Sequence, residues 1–303
     1  MRASVSPLRQ ALDWGSLAPL RLRARVVAEG VYAGAHRSAR RGAGIEFGGY
    51  RAYTPGDDLR WLDHRSLLLH DRLVVKQFET ETDRALRLVV DATASMGYRG
   101  GTAPGAKLAW AALVAAALAH LAGTSGDPVG LTYFGGGPGT RSVPVSAGRE
   151  AFERIIGSLE SVTPGGDARF DASFIDRALG GIARSARRGS IVVVLSDLLD
   201  LPEVAAERVA AVATGGRVVV VVALLDPDEA SFPFEGTLRL QALEGGAVVE
   251  TDADATRAQY LDALAELQRR WERALVARGA RVIRALTTDD PVHVVRSVVM
   301  AAR

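Results

Sequence analysis

The sequence of 303 residues lacks cysteine and has only five histidines. The absence of cysteine excludes disulfide bonds, thiolate metal sites and cysteine catalysis. The histidines are scattered along the chain without the helical spacing of metal ligands, so we interpret them as structural residues. Oxygen-rich side chains are therefore the groups to search for a metal site or another functional site.

The chain also lacks an excess of either charge and a hydrophobic run long enough to cross a membrane. It has 37 basic and 35 acidic residues, a balance that does not indicate nucleic acid as a partner. The longest apolar stretch, residues 108–122, has about 15 residues, whereas a membrane span needs roughly 20. Charges and two prolines interrupt residues 1–25. We therefore expect no secretion signal and no membrane span, and we predict a cytoplasmic protein.

From residue 86 onward, apolar segments of strand length alternate with segments of helical periodicity. This alternation predicts an α/β fold with a doubly wound, mostly parallel sheet that helices cover on both faces. The predicted strands are residues 86–90, 129–134, 140–145, 191–195, 217–225 and 280–286, with 140–145 as an antiparallel edge strand. Two shorter strands are predicted within 236–251. The predicted helices are residues 106–122, 149–159, 170–186, 203–212, 254–277 and 292–301.

Residues 1–85 differ in character from the rest of the chain. They contain one predicted helix near residues 20–31, a stretch rich in glycine and arginine from 34 to 49, and a strand-like segment at 74–78. We therefore predict two parts: a small β-containing N-terminal appendage over residues 1–85, and an α/β domain over residues 86–303.

A group of oxygen-bearing side chains follows the first predicted strand of the α/β domain. Asp91, Thr93 and Ser95 come directly after the apolar run, and alternate positions of a turn can point to one side. Oxygen ligands of this kind suit a hard ion such as Mg²⁺. A second predicted strand ends in Ser196 and Asp197. Ligand sites of open α/β sheets lie outside the carboxyl ends of the strands, so the two strand ends together favour a divalent-cation site.

The order of several short motifs closely resembles the bacterial DUF58 family. The most distinctive is the Pro-Gly-Asp-Asp box at residues 55–58, and the resemblance runs from about residue 34 to the C-terminus. The other matching segments are residues 46–47, 51–53, 59–60, 62–63, 75–78, 91–96, 127–131, 196–197, 226–229 and 287–290. One departure is His64, where the family usually has tryptophan.

The resemblance implies a von Willebrand factor A-like domain with a metal-ion-dependent adhesion site. By that resemblance, Asp91, Thr93 and Ser95 form the first metal loop and Asp197 belongs to the third. The second loop normally has a threonine after paired glycines, but here Gly165 and Gly166 are followed by Asp167. Three alternatives stay open for this loop: Asp167 replaces the hydroxyl, the upstream Thr163 serves, or the loop contributes no ligand.

The family resemblance also implies a partner, because its members are often encoded beside a MoxR-type AAA+ ATPase. Mg²⁺, or another divalent ion such as Mn²⁺ or Ca²⁺, keeps a coordination position open, and an acidic residue of the partner would complete the shell. Asp57, Asp58 and Arg60 are candidates for a further partner-binding surface, although their box also has a simpler interpretation as a turn.

Our first functional hypothesis is therefore a non-enzymatic, metal-dependent adaptor that works with an AAA+ ATPase in complex assembly or client maturation. The first alternative is a Mg²⁺-dependent phosphoester hydrolase that uses Asp91 and Asp197, but the sequence shows no general base or nucleophile for it. The second alternative is a structural scaffold with a degenerate metal site, which the unusual Asp167 favours.

Overall fold

The computed structural model describes residues 19–35, 46–52, 74–79, 85–166, 173–199, 201–202, 204–243 and 247–302. The chain divides into two compact units. One unit is formed by residues 35–82, and the other by residues 1–34 together with residues 83–303. The predicted appendage over residues 1–85 therefore differs from the observed smaller unit, because the N-terminal helix belongs to the larger one.

The described part of the smaller unit is a two-stranded antiparallel sheet. Strand β1 (Glu46–Ala52) pairs with strand β2 (Val74–Glu79), and the register shifts at a bulge between Phe47 and Gly49. The predicted strand at residues 74–78 thus falls within β2. Asp57, Asp58 and Arg60 lie outside the described residues, so their partner-binding role stays a prediction.

The larger unit contains a six-stranded sheet and a separate hairpin. Its strands are, in chain order, β3 (Leu86–Ala92), β4 (Val129–Gly135), β5 (Val143–Ser146), β6 (Ile191–Ser196), β7 (Val218–Leu225), β8 (Thr237–Gln241), β9 (Val248–Asp252) and β10 (Arg281–Leu286). The spatial order of the main sheet is β10-β7-β6-β3-β4-β5, and β5 alone in this sheet is antiparallel to its neighbour. Strands β8 and β9 form the hairpin.

Most helices of the larger unit lie between strands in the chain, and seven of the eight contribute to the packing around the sheet. They are α1 (Leu20–Ala35), α2 (Lys107–Ser125), α3 (Arg149–Ser161), α4 (Ser173–Ser185), α5 (Val204–Ala213), α6 (Pro227–Ser231), α7 (Ala253–Val276) and α8 (Pro291–Ala301). A short 3₁₀ helix, Ala94–Gly97, directly follows β3 and Thr93.

Two hydrophobic cores lie on opposite faces of the sheet. The alternation of side chains in β3 shows this arrangement: Leu88 and Val90 belong to one core, and Val89 belongs to the other. The first core includes residues of α1, α2, α3 and α8, whereas the second includes residues of α4, α5 and α7. Strands that are buried on both faces require nearly continuous apolar sequence, which β6 and β7 provide. The predicted doubly wound α/β fold is thereby confirmed.

Helix α2 lies inside the first core. By length and composition it could cross a membrane, yet 78% of its apolar window is buried within the protein. Most of its buried residues are alanines, which let neighbouring helices and the sheet approach closely. A helix that is apolar on all sides is typical of the interior of a protein.

Helix α1 packs on the larger unit through one apolar face. Leu20, Ala24 and Val27 are buried in the first core, and their spacing of four and three residues places them on the same side of the helix. The Tyr32 hydroxyl lies 3.1 Å from the Thr124 hydroxyl at the end of α2. This burial explains why the N-terminal helix belongs with the α/β fold rather than with residues 35–82.

The order of the strands places a topological switch point at the carboxyl ends of β3 and β6. The chain runs from β3 to β4 on one side, and later places β6 on the opposite side of β3. The connections therefore diverge between β3 and β6. Open α/β sheets bind ligands at such a switch point, and this is where the predicted metal ligands emerge.

Candidate metal centre

Asp91 occupies the carboxyl end of the central strand β3 and is fully buried. One carboxylate oxygen, Oδ1, accepts hydrogen bonds from the backbone N–H of Thr93 at 2.9 Å and from its hydroxyl at 2.7 Å. The other oxygen, Oδ2, accepts a hydrogen bond from the Ser196 hydroxyl at 2.6 Å. Neutral donors therefore hold the carboxylate from the turn that follows β3 and from the neighbouring strand β6.

The hydroxyls of Thr93 and Ser95 lie beside this carboxylate. The turn of 3₁₀ helix after Thr93 carries Ser95 back toward the strand end, so that the two hydroxyl oxygens are 3.1 Å apart. Both residues are buried. Adjacent ligands of an octahedral Mg²⁺ ion are about 2.9 Å apart, because each Mg–O bond is about 2.0–2.1 Å. The observed spacings of 2.7 and 3.1 Å are those of hydrogen bonds between these groups, and adjacent ligands of such an ion can occupy the same positions.

The segment that contains Gly165 and Gly166 lies directly against the predicted first metal loop. The Gly165 N–H donates to the Ala92 carbonyl at 2.8 Å, and the Ala94 N–H donates to the Gly166 carbonyl at 3.2 Å. Gly165 also lies against Gly137: a Cβ at Gly165 would be 3.1 Å from the Gly137 backbone nitrogen. A larger residue at position 165 would therefore disturb the packing of these two segments. The second predicted loop thus reaches the site through its backbone.

Of the two candidate ligands in the second loop, the structure describes Thr163 but not Asp167. Thr163 faces the Gly137 backbone, where a Cβ would come within 2.3 Å of the threonine hydroxyl oxygen. Asp167 lies outside the described residues, although it directly follows Gly166 in the sequence. The predicted contribution of Asp167 to the metal site therefore stays a prediction.

Asp197 directly follows β6, and both of its carboxylate oxygens are engaged by the protein. Oδ1 accepts the backbone N–H of Leu199 at 2.9 Å, and Oδ2 accepts the Lys107 ammonium at 2.7 Å. The adjacent Ser196 hydroxyl donates to Asp91 and accepts the Leu198 N–H. The strand end therefore connects Asp91 and Asp197 through Ser196.

Lys107 is a buried cation that our sequence interpretation did not place at this site. Its side chain is 0% exposed, and its ammonium also contacts a carboxylate oxygen of Glu229 at 2.5 Å. Burial alone would lower the pKa of Lys107, but the charges of Asp197 and Glu229 raise it above its ordinary value. The available sequence signal was a single lysine at the start of an otherwise apolar helix.

The capping box of α6 holds Glu229 in place. The Asp226 side chain accepts the N–H of Asp228 at 3.0 Å, and the Asp226 N–H donates to Glu229 at 2.9 Å. Such reciprocal bonds are typical of a helix N-terminus. The cap thereby positions the Glu229 carboxylate for its contact with Lys107.

The electrostatic environment of Asp91 favours a bound cation. Burial, followed by the negative charge of Asp197, raises the pKa of Asp91 to about 7, while hydrogen bonds from Ser196 and Thr93 act in the opposite direction. A buried carboxylate is costly without a compensating charge. A proton or a metal ion at Asp91 would remove that cost.

Hydroxyl ligands are essential to the proposed metal site. Within the described residues, no group of three or more histidine, cysteine, aspartate or glutamate side chains could hold a metal ion by itself. The donor set of Asp91, Thr93 and Ser95 combines one carboxylate with two hydroxyls at suitable distances, and this chemistry fits Mg²⁺ or Mn²⁺.

Comparison with known proteins identifies the family. The model of the family described as "Protein of unknown function DUF58" matches residues 49–270. The chain belongs to the DUF58 family. An uncharacterized protein of Mycobacterium tuberculosis is similar to it, with 30% identity over 282 residues that cover 91% of this chain and 85% of the relative. The family resemblance predicted from the motifs is thereby confirmed.

Two solved structures are similar to this DUF58 chain in part. The conserved hypothetical protein BatB from Bacteroides thetaiotaomicron is 17% identical, with 72% of this chain and 98% of that chain covered and a TM-score of 0.44. A von Willebrand factor type A structure from Catenulispora acidiphila is 14% identical, with 76% of this chain and 43% of that chain covered and a TM-score of 0.37.

Proposed function

We propose that this protein is a non-enzymatic adaptor that binds a divalent ion, most suitably Mg²⁺, and uses it to bind an acidic side chain of a protein partner. One observation carries the proposal: the Thr93 hydroxyl lies 2.7 Å from the Asp91 carboxylate and 3.1 Å from the Ser95 hydroxyl, so three oxygen donors are gathered at one buried strand end with spacings that adjacent ligands of an octahedral ion can also have. When bound, the ion would supply a Lewis-acidic coordination position for a carboxylate oxygen.

The residues of the site have separate roles in this proposal. Asp91 supplies the negative charge, and Thr93 and Ser95 supply neutral oxygens. Ser196 orients Asp91 by donating a hydrogen bond to its second oxygen. Asp197 contributes negative charge from the neighbouring strand, since its electrostatic effect on Asp91 is substantial. Fixed, buried ligands reduce the cost of organising the site when the ion binds.

The proposed partner is a cytoplasmic AAA+ ATPase of the MoxR type, or a client of such an ATPase. This part of the proposal rests on the family resemblance, and the acidic ligand follows from the chemistry of the metal site. Asp57, Asp58 and Arg60 are proposed as a second contact surface. An adaptor with one essential metal contact should lose its partner when either the ion or the partner's carboxylate is removed.

Calorimetric titration with Mg²⁺ tests the metal site directly. We expect wild-type protein to bind one ion and Asp91→Asn to lose at least about a hundredfold in affinity, because the asparagine keeps the shape but removes the charge that a buried ion requires. Asp262→Asn is the matched control, since Asp262 is an exposed carboxylate on α7. A wild type that binds no ion at millimolar Mg²⁺ would contradict the proposal and favour the scaffold.

The same titration with Asp167→Thr tests the second loop. If Asp167 faces the ion, we expect the threonine variant to bind Mg²⁺ more weakly, because one negative charge is lost near the site. Unchanged affinity would place Asp167 outside the coordination shell while leaving the proposal for Asp91, Thr93 and Ser95 intact.

Partner capture from the native host tests the adaptor role. Wild-type protein should retain an AAA+ ATPase in the presence of Mg²⁺ and nucleotide and lose it when EDTA is added, whereas Asp91→Asn should fail to capture it under both conditions. Metal-dependent turnover of a generic phosphoester that Asp91→Asn abolishes would instead support the hydrolase alternative.

A further inference from the structure

The candidate metal centre has an internal cation next to it. Lys107 lies at the first position of α2, and its ammonium contacts Asp197 at 2.7 Å and Glu229 at 2.5 Å while its side chain is fully buried. These two partners lie 90 and 122 residues further along the chain. The ammonium thus connects the end of β6 with the short helix α6.

The hydrogen-bond pattern fits two ionised partners of Lys107. Each carboxylate accepts a backbone N–H on one oxygen and the ammonium on the other: Asp197 accepts from Leu199, and Glu229 accepts from Asp226. Ionised carboxylates act only as acceptors. Lys107 therefore neutralises one of the two negative charges, and the three groups together keep a single negative charge.

We propose that Lys107 and Glu229 set the net charge of the metal centre and thereby determine how well it accepts an anionic ligand. This inference rests on the proposed function of the same site. With Asp91 included, these four side chains have two excess negative charges, which one divalent ion balances, before the neighbouring carboxylates of Asp226 and Asp228 are counted. Without Lys107 the loaded centre would be more negative by one charge and would repel the carboxylate of a partner more strongly.

Other charged groups near Lys107 and Glu229 do not affect a comparison of variants at these two positions. Asp226 accepts hydrogen bonds from the N–H groups of Gly100 and Asp228, and Asp228 accepts the N–H of Gly101. These carboxylates are the same in every variant described below. Differences between variants therefore report the charges of Lys107 and Glu229.

Three variants form a charge series around the wild type. Lys107→Met lowers the charge of the centre by one unit, and Glu229→Gln raises it by one unit. The double variant Lys107→Met/Glu229→Gln restores the wild-type charge without the ion pair. Methionine keeps the length and apolar stem of lysine, and glutamine keeps the size of glutamate, so these changes alter charge with little change in volume.

Mn²⁺ and acetate are the probes for this series. Free Mn²⁺ is measured by electron paramagnetic resonance to obtain the metal affinity of each variant. Acetate is then added to the Mn²⁺-loaded protein, and water-proton relaxation reports the displacement of bound water from the ion. Acetamide, which has a similar shape but no charge, is the control ligand.

We expect the two affinities to change in opposite directions along the series. Lys107→Met should bind Mn²⁺ roughly a hundredfold more tightly and its loaded form should bind acetate roughly tenfold more weakly, because one unit charge acts twice as strongly on a divalent ion as on a monovalent one. Glu229→Gln should show the reverse. The double variant should stay within roughly twofold of wild type for both ligands, because its net charge is unchanged.

The outcomes distinguish this inference from the proposed function. A wild type that binds no Mn²⁺ contradicts both, whereas a wild type that binds Mn²⁺ with affinities that stay constant along the series, or that change in the same direction for both ligands, overturns only the role of Lys107 and Glu229. Circular dichroism checks the fold of each variant. If Lys107→Met does not fold, Glu229→Gln and the double variant still decide the question.

Discussion

Two buried carboxylates at neighbouring strand ends differ in how their charge is compensated. Asp91, at the end of β3, accepts hydrogen bonds from hydroxyls and a backbone N–H. Asp197, after β6, is paired with the ammonium of Lys107. The chain thus carries its own cation for Asp197, while Asp91 needs a proton or a metal ion from outside. From this difference we expect the strand end at Asp91 to respond to metal and the strand end at Asp197 to contribute to stability.

The largest effect should come from removing the internal cation. Lys107→Met leaves the buried Asp197 and the partly buried Glu229 without their partner, and we expect the free energy of unfolding of the metal-free protein to fall by about 3–5 kcal/mol. Urea denaturation measures this change. The double variant Lys107→Met/Glu229→Gln should recover part of the loss. A change below about 1 kcal/mol for the single variant would show that the pairing of Asp197 with Lys107 does not stabilise the folded protein.

Titration of Asp91 should instead make the stability of the protein depend on pH. The pKa of Asp91 is about 7 in the folded protein and its ordinary value is 3.8, so between these values the folded state binds a proton that the unfolded state has lost. The stability of metal-free protein should therefore fall as pH rises from about 4 to 7, by at most roughly 4 kcal/mol from this group.

Asp91→Asn isolates this contribution, because it removes the titrating group and keeps its shape. Urea denaturation of both proteins at several pH values between 4 and 8 should give stability curves that diverge as pH rises, with wild type losing more. Saturating Mg²⁺ should reduce the divergence, since the ion replaces the proton. Parallel curves in the absence of metal would mean that Asp91 is ionised at low cost.

A pair of variants should separate metal binding from packing. Asp91→Ala removes a ligand without opening a hydrophobic cavity, so the metal-free fold should survive while Mg²⁺ binding and partner capture are lost. Val193→Ala shortens a fully buried side chain of β6 and should lower the free energy of unfolding by roughly 1–3 kcal/mol with little change in metal affinity. Calorimetry and urea denaturation measure both properties. If Asp91→Ala unfolds while metal-free wild type stays folded, Asp91 has a structural role instead.

The smallest effect should come from an exposed ion pair. Arg25 and Glu29 are separated by one turn of α1 with 2.7 Å between their charged atoms, and their side chains are 64% and 58% exposed. Solvent screens such pairs, so Arg25→Ala should change stability by about 0.5 kcal/mol or less. Thermal unfolding at low and high salt checks this value. A loss of unfolding free energy as large as that of Lys107→Met would show that burial does not determine how much an ion pair contributes to stability in this protein.

The fold class could be predicted from the sequence because its signals are local. Runs of β-branched residues such as those in β6 and β7 favour strands, and helical periodicity between them favours helices. The strands predicted at residues 191–195 and 217–225 therefore agree with β6 and β7 to within about one residue, a difference expected of strand ends. The motif of Asp91, Thr93 and Ser95 is also local, since its three residues share one turn after one strand.

The tertiary structure alone decided which distant groups meet. The sequence does not show that Lys107 contacts Asp197 and Glu229, that Ser196 donates to Asp91, or that α1 packs on the α/β unit. Each contact depends on the order of the strands and on the face that each helix covers. Local pattern determines where a carboxylate leaves its strand, but the charge that compensates it depends on long-range packing, because electrostatic partners are selected by proximity in space and by burial.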